Sequence, residues 1–233
     1  MRLDKFLANN NIGTRSQVKE YLKGGSVTVN GTICKKADTP INEDSDIICF
    51  RGNQIVYRKF IYIILNKPGD IVTATRDKKL PTVMDLIKPL PAKDLFPVGR
   101  LDRDTTGLLL ICNDGELSHK LLSPKYHVDK TYLVGMERKP SMSELEALES
   151  GLDIGDDTKT LPAKAVLRED GMLLLTIHEG RYHQVKRMLE AVDNKVTSLK
   201  RISFGNLNLP DDLEEGKWRE LTEDEIHEIV FSR

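Results

Sequence analysis

The run Gly99-Arg100-Leu101-Asp102-Arg103-Asp104-Thr105-Thr106-Gly107-Leu108-Leu109-Leu110 sets a polar loop against an apolar strand. Two carboxylates and two arginines sit in that loop. Core packing at the strand end would fix such a loop, which is what a reactive site requires. A charged turn capped by its own aspartates is the plain structural alternative. Upstream, Phe96-Pro97-Val98-Gly99 is too broken for a central strand. Downstream, Leu108 to Cys112 reads as a buried strand and Glu116 to Leu122 as a helix.

Farther along, Lys130-Thr131-Tyr132-Leu133-Val134 has the alternation of a strand that carries a tyrosine. Glu179-Gly180-Arg181-Tyr182-His183-Gln184-Val185-Lys186-Arg187-Met188-Leu189 opens a helix. In that helix Val185, Met188 and Leu189 share a core face, so Lys186 and Arg187 need another destination, either a site or solvent. Further strands are expected at Phe60 to Leu65, turned by Asn66-Lys67-Pro68-Gly69, and at Thr131 to Met136 and Met172 to His178. Further helices are expected at Ser141 to Ser150 and at His183 to Val192. This irregular mixture predicts an α+β fold with a mixed, mainly antiparallel sheet flanked by helices, not repeated βαβ units.

The first quarter has a different character. Leu3, Phe6 and Leu7 share one helical face, with Arg2 and Lys5 beside it. Thr14 and Gln17 form a capping box for a second helix, which Gly24-Gly25 ends. Arg15, Lys19 and Lys23 follow at four-residue steps along one face of it. Val27-Thr28-Val29-Asn30-Gly31-Thr32-Ile33 is a hairpin pattern, and Asp46 to Phe50 supplies another strand. Residues 1–58 hold nine Lys/Arg against six Asp/Glu, whereas the whole chain of 233 residues has a net charge of −1. A basic stripe suits phosphate contact, although a solvated helix face explains the stripe equally simply.

The longest apolar run, Phe60 to Leu65, is far short of the roughly 20 residues of a membrane span. The opening residues lack a signal-peptide core, so an untargeted cytoplasmic protein is expected. Cys34, Cys49 and Cys112 read as buried small hydrophobes, and the histidines show no metal-ligand spacing. Neither a phosphate loop nor a dinucleotide fingerprint is present, so no metal and no cofactor are expected.

The order Arg-Leu-Asp-Lys-Phe, Thr-Arg-Ser-Gln and Val-x-Val-Asn-Gly over residues 2–48 resembles the small αL RNA-binding module first seen in a ribosomal small-subunit protein. For the loop, two resemblances compete. Asp102-x-Asp104-x-Thr106 looks like the first motif of haloacid-dehalogenase-like phosphatases, yet the apolar strand that should precede Asp102 is missing. Gly-Arg-Leu-Asp-x-x-Thr-x-Gly-Leu-Leu is similar to the active-site motif of pseudouridine synthases. The tyrosine strand and the basic helix start follow in that family's order. The whole chain thus resembles the bacterial rRNA pseudouridine synthases that act on the small subunit, and their large-subunit relatives. The expected division is an RNA-binding domain at 1–58 and a catalytic domain at 59–233.

That resemblance implies isomerisation of a specific uridine in ribosomal RNA, with the 16S molecule favoured and 23S the alternative. Asp102 would be the nucleophile, attacking the ribose or the uracil ring. Lys186 would hold its charge, with Arg187 one register step away as the alternative. Tyr132 would stack on the base with its hydroxyl near the carbon that loses a proton. Arg100, Arg181 and Arg187 would grip RNA, and Leu199 would line the pocket floor. The implied partner is ribosomal RNA, free or in a partly assembled subunit, and the protein is expected to be a monomer. A non-catalytic ribosome-assembly factor on an enzyme scaffold is the rival of another class.

Overall fold

The computed structural model describes residues 1–10, 12–55, 59–87 and 94–231. Two compact units divide it, Met1–Ile61 with Lys88–Leu95, and Tyr62–Ile87 with Phe96–Arg233. Arg58, at the expected domain boundary, lies outside the described residues.

The first unit runs α1 (Leu3–Asn9), α2 (Arg15–Lys23), β1 (Val27–Val29), β2 (Thr32–Ile33), β3 (Ile48–Phe50) and β4 (Asn53–Gln54). Thr14 caps α2 as its sequence predicts: its hydroxyl accepts from the Gln17 amide, and Gln17 Oε1 accepts from Thr14 N at 2.9 Å. Asn30 and Gly31 both have positive φ, 51° and 78°. Those angles allow the tight turn that pairs Val29 with Thr32. Leu3, Phe6, Leu7, Val18, Leu22, Val27 and Ile48 are buried together, so helices and sheet close on one small core.

The second unit holds β5 (Tyr62–Lys67), α3 (Val83–Leu86), β6 (Phe96–Pro97), β7 (Thr106–Cys112), α4 (Gly115–Leu122), β8 (Lys130–Met136), α5 (Met142–Ser150), β9 (Lys164–Leu167), β10 (Leu173–Ile177), α6 (Gln184–Glu190), β11 (Val196–Phe204), β12 (Leu207–Asn208), β13 (Trp218–Glu220) and α7 (Glu223–Phe231). Its sheet runs β13-β5-β7-β11-β8-β10-β9, with β6 on β7 and β12 on β11. Only β7 and β11 pair in parallel among the described strands. Mixed and mainly antiparallel, the sheet matches the class read from sequence.

Strand β5 is buried along its whole length and β7 along nearly all of it, because both of their faces are covered. On one face Tyr62, Ile64, Leu108 and Leu110 pack with Leu117 and Leu121 of α4 and Ile229 of α7. Gly107 makes the central crossing possible. It has φ +98°, and a Cβ there would lie 2.2 Å from the Arg201 carbonyl.

Three local expectations need correction. Asn66 and Lys67 belong to β5 rather than to a turn, since β7 continues the ladder down to Gly107. Phe60 and Ile61 in turn lie outside the strand. Of the cysteines only Cys112 is buried; Cys34 and Cys49 are half-exposed. No helix among the described residues is long and apolar enough to cross a membrane.

Candidate active site

A pocket of about 840 Å³ opens on the second unit. That is ample for one nucleotide and typical of small-molecule sites. Its wall is the loop Gly99–Thr105, its floor Tyr132, Leu199 and Arg201, and its opposite rim Glu179–Lys186. The floor follows from sheet register. Tyr132 and Arg201 are directly opposed across β8 and β11, as are Val134 and Leu199, so all four side chains share a face.

Buried polar groups lock the loop that carries Asp102. Lys67, fully buried, donates to the carbonyls of Pro68 (2.9 Å), Arg103 (3.0 Å) and Thr105 (2.9 Å). Burial pushes its ammonium down to about 8, against the opposing pull of Asp104, Asp102, Glu215 and Asp70. The Thr73 hydroxyl donates to the Leu101 carbonyl at 2.8 Å and accepts from its amide at 3.3 Å. Thr105 N closes a turn onto the Asp102 carbonyl at 3.1 Å. Every one of these bonds is to backbone, so the loop's shape does not depend on its charged side chains.

Asp102 projects into the pocket with its side chain 28% exposed, partly desolvated yet reachable. Lys186 Nζ lies 3.3 Å from Asp102 Oδ2, and His183 Nε2 lies 3.6 Å from Oδ1. Lys186 also bonds both oxygens of Asp104, at 2.7 and 2.9 Å. Its hydrogen bond holds the Asp104 carboxyl below the usual range. For Lys186 burial is the largest single influence and acts downward. The bond to Asp104 and the charges of both aspartates outweigh it and raise the ammonium overall. A lysine, as a point charge, can serve two carboxylates where a planar arginine fork would commit to one.

Arg187, the neighbouring candidate, is directed elsewhere. It pairs with Asp156 at 2.6 Å and donates to the carbonyls of Ile154 and Tyr182. Arg181 is tied up similarly, donating to Thr158 O (2.6 Å), Lys159 O (2.7 Å) and Glu179 Oε2 (2.9 Å). Gln184 completes this brace, accepting from Arg181 N and donating to Glu179, both at 3.0 Å. Arg100 is exposed on the wall and forms no ion pair among the described residues. In the first unit Arg2, Lys5, Arg15, Lys19 and Lys23 are all exposed, with Arg2 bonded to Asp4 at 2.8 Å.

Structure therefore brings together Asp102, Lys186, Tyr132, Leu199 and Arg100 around one pocket, and sets Arg181 and Arg187 to bracing its rim. Sequence reasoning passed over three residues here. Lys67 and Thr73 gave no local signal, because their partners lie 28 to 38 residues away. Arg201 did give one: it stands two places after Leu199 on a strand, hence on the same face. Among the described residues no cluster of His, Cys, Asp or Glu is arranged to hold a metal ion.

A carboxylate held in an open, half-apolar pocket beside a cation, with a tyrosine ring on the floor, can carry out nucleophilic and proton-transfer chemistry on a flat heterocycle. The model of the RNA pseudouridylate synthase family matches residues 61–191, and that of the S4 domain matches residues 1–48. The chain is 40% identical to ribosomal small subunit pseudouridine synthase A of Haemophilus influenzae, over 99% of this chain and 100% of that one. Ribosomal large subunit pseudouridine synthase B of Bacillus subtilis is 38% identical, over 98% and 95%. A solved structure of a pseudouridylate synthase superimposes with a TM-score of 0.70 at 40% identity, covering 99% of this chain and all of the other. An S4 domain followed by a catalytic domain whose pocket is built around Asp102 thus places this chain in the RNA pseudouridylate synthase family.

Proposed function

We propose that this enzyme isomerises one specific uridine of ribosomal RNA, with Asp102 as nucleophile and 16S rRNA as the target. The observation that carries the proposal is the Asp102 carboxylate, 3.3 Å from Lys186, above a floor that presents a tyrosine ring. The target uridine leaves its stack and enters the pocket, at a cost of a few kcal/mol. Tyr132 stacks on the base, and Leu199 lines the apolar floor beside it. Asp102 attacks the ribose or the uracil ring, and the N1–C1′ bond breaks. The base then turns, C5 bonds to C1′, and C5 loses its proton to the side of the pocket where the Tyr132 hydroxyl lies. Lys186 sets a positive charge 3.3 Å from the attacking carboxylate. Arg100 contacts phosphate directly, while Arg181 and Arg187 support the RNA-facing rim.

The test is tritium release from 16S rRNA transcribed with 5-³H uridine, as naked RNA and in partly assembled particles. The wild type is expected to release it, and Asp102→Asn to lose about 10³-fold or more while RNA binding stays within about twofold. Absence of release by the wild type on both substrates would leave the non-catalytic assembly factor as the better account. The small-subunit assignment is supported by relatives named for that subunit at 38 to 42% identity, beside 38% for the large-subunit enzyme. Mapping pseudouridine in both rRNAs, with and without the protein, decides between 16S and 23S.

The same proposal takes residues 1–58 as the RNA-binding domain, residues 59–233 as the catalytic domain, and the protein as a cytoplasmic monomer. Deleting 1–58 is expected to weaken RNA binding and flatten its salt dependence while the remainder keeps its far- and near-UV circular dichroism. An unfolded remainder would overturn the boundary.

A further inference from the structure

Arg201 is the most deeply buried cation at the pocket, and no carboxylate touches it among the described residues. It is 2% exposed, and its Nε donates to the Leu108 carbonyl at 2.8 Å. The guanidinium lies over the Phe204 ring at 4.9 Å, and Arg201 stands directly opposite Tyr132 across β8 and β11. Its Nη2 is buried and meets no acceptor among the described residues. A buried charge normally finds an anion, and a buried N–H an acceptor. Burial accordingly pushes Arg201 below the usual arginine value, and only Tyr132 pulls the other way.

Two further features fix this cation in place. Gly107 lets the β7 backbone come against Arg201, so the residue sits where β7, β8 and β11 meet and has no room to swing out. Lys130, on the same face of β8 as Tyr132, is 8% exposed and places its ammonium 5.4 Å from the centre of the same Phe204 ring. The floor beneath the tyrosine is therefore positively charged from two sides, while Asp102, Lys186 and His183 face it across the pocket.

From this geometry we infer that Arg201 is the positioning residue of Tyr132: it orients the phenolic oxygen toward C5 of the bound uracil and is the counter-charge of the phenolate that accepts the C5 proton. This rests on the isomerase reading above. The step balances as follows. The C5–H bond breaks and its electron pair forms C5=C6. The C6=N1 pair moves onto N1, which takes a proton from water. The C5 proton goes to the Tyr132 oxygen and from there to solvent. The phenolate charge thus passes to the ring at N1, where the water proton quenches it, and until then an acceptor-poor guanidinium already in place holds the phenolate without reorganising.

The experiment compares wild type, Arg201→Met, Arg201→Lys, Tyr132→Phe and Arg201→Met/Tyr132→Phe in single-turnover reactions on 16S rRNA bearing protium or deuterium at C5. Arg201→Met is expected to lose about 10²-fold in rate, the range of a general acid–base contribution, with the RNA dissociation constant unchanged. A primary isotope effect at C5, small in the wild type, should emerge in Arg201→Met. It should also emerge in Arg201→Lys, which keeps the charge and fills most of the site, with a smaller rate loss; this variant serves if the Met protein does not fold. In the Tyr132→Phe background, Arg201→Met should cost no more than about threefold, because the two residues act as a unit. Losses that multiply, or slowing of the Met or Lys protein without a C5 isotope effect, overturn the assignment and leave Arg201 a structural residue. A wild type that releases no tritium overturns the isomerase reading and this assignment with it. An active wild type with additive losses overturns only the role of Arg201.

Discussion

The two units use cations in opposite ways. On α2 of the S4 unit, Arg15, Lys19 and Lys23 stand in water on one face. In the catalytic unit, Lys67, Lys130 and Arg201 are at most 8% exposed and bond mainly to backbone carbonyls. Charges of the first kind are screened within about 10 Å at moderate salt and act on whatever polyanion passes. Those of the second kind cannot be screened, are costly to bury, and hold one geometry. Counting lysines and arginines along a chain therefore says little about function until their depth is known.

Breaking the buried set should have the largest effect. Lys67→Met leaves three carbonyls without their donor and is expected to destabilise the catalytic unit by about 3 kcal/mol, lowering its melting temperature by roughly 10 °C. Tritium release at a temperature where the variant is still folded should fall at least tenfold, because the Asp102 loop loses its anchor. Gly107→Ala should be similarly costly, through positive φ and the clash with Arg201; thermal melts measure both.

Lys186→Met comes next. Its partners are side chains on the pocket surface, so stability should change by less than about 1 kcal/mol while the reaction rate falls about 10²-fold. Arg187→Met should leave the rate constant nearer the wild-type value, since its bonds go to the rim. The reverse ranking would make Arg187 the partner of Asp102.

Buried lysines also leave a mark on the pH dependence of stability. The folded value of Lys67 is about 8 and its ordinary value 10.5. Between those values the unfolded chain holds a proton that the folded protein has released, so stability rises with pH across that window. Lys130, pushed down to about 8 mainly by burial, adds a second contribution of the same sign. Lys67→Met should remove part of the slope in denaturant titrations between about pH 8 and 10.5, and an unchanged slope would contradict the depth assigned to this ammonium.

The exposed set should give the smallest effect on the protein itself. Replacing Arg15, Lys19 and Lys23 together by Ala should alter stability by about 0.5 kcal/mol or less. It should reduce the slope of log affinity against log salt by about 2, the value for three phosphate contacts on single-stranded RNA. A variant with an unchanged salt slope would show that α2 faces solvent and not RNA.

The contrast also explains what the amino-acid order disclosed. The Thr14–Gln17 cap, the Asn30–Gly31 turn and strand β7 rest on neighbours within a few residues, and all were legible. Asp102, Tyr132 and Lys186 were legible as a motif order, and helical spacing alone could not choose between Lys186 and Arg187. Geometry separates them, because Asp156 and the Ile154 carbonyl claim Arg187. Lys67 was misread as a turn residue because hydropathy assigns a lysine to the surface. Its burial is justified only by carbonyls of Pro68, Arg103 and Thr105, which no local pattern links to it. Arg201 was overlooked although legible, since strand alternation in Leu199-Lys200-Arg201 places it beside Leu199 on the floor.

The parallel pairing of β7 with β11 has a consequence in time as well as space. It joins Gly107 to Arg201, segments nearly a hundred residues apart, with β8 to β10 and three helices made between them. Such long-range pairing closes late, after the local hairpins have formed. During synthesis the Asp102 loop emerges well before the strand that completes its pocket. A nascent chain that has displayed its S4 domain and its Asp102 loop still lacks part of the floor, and so the pocket is complete only when nearly the whole chain has left the ribosome.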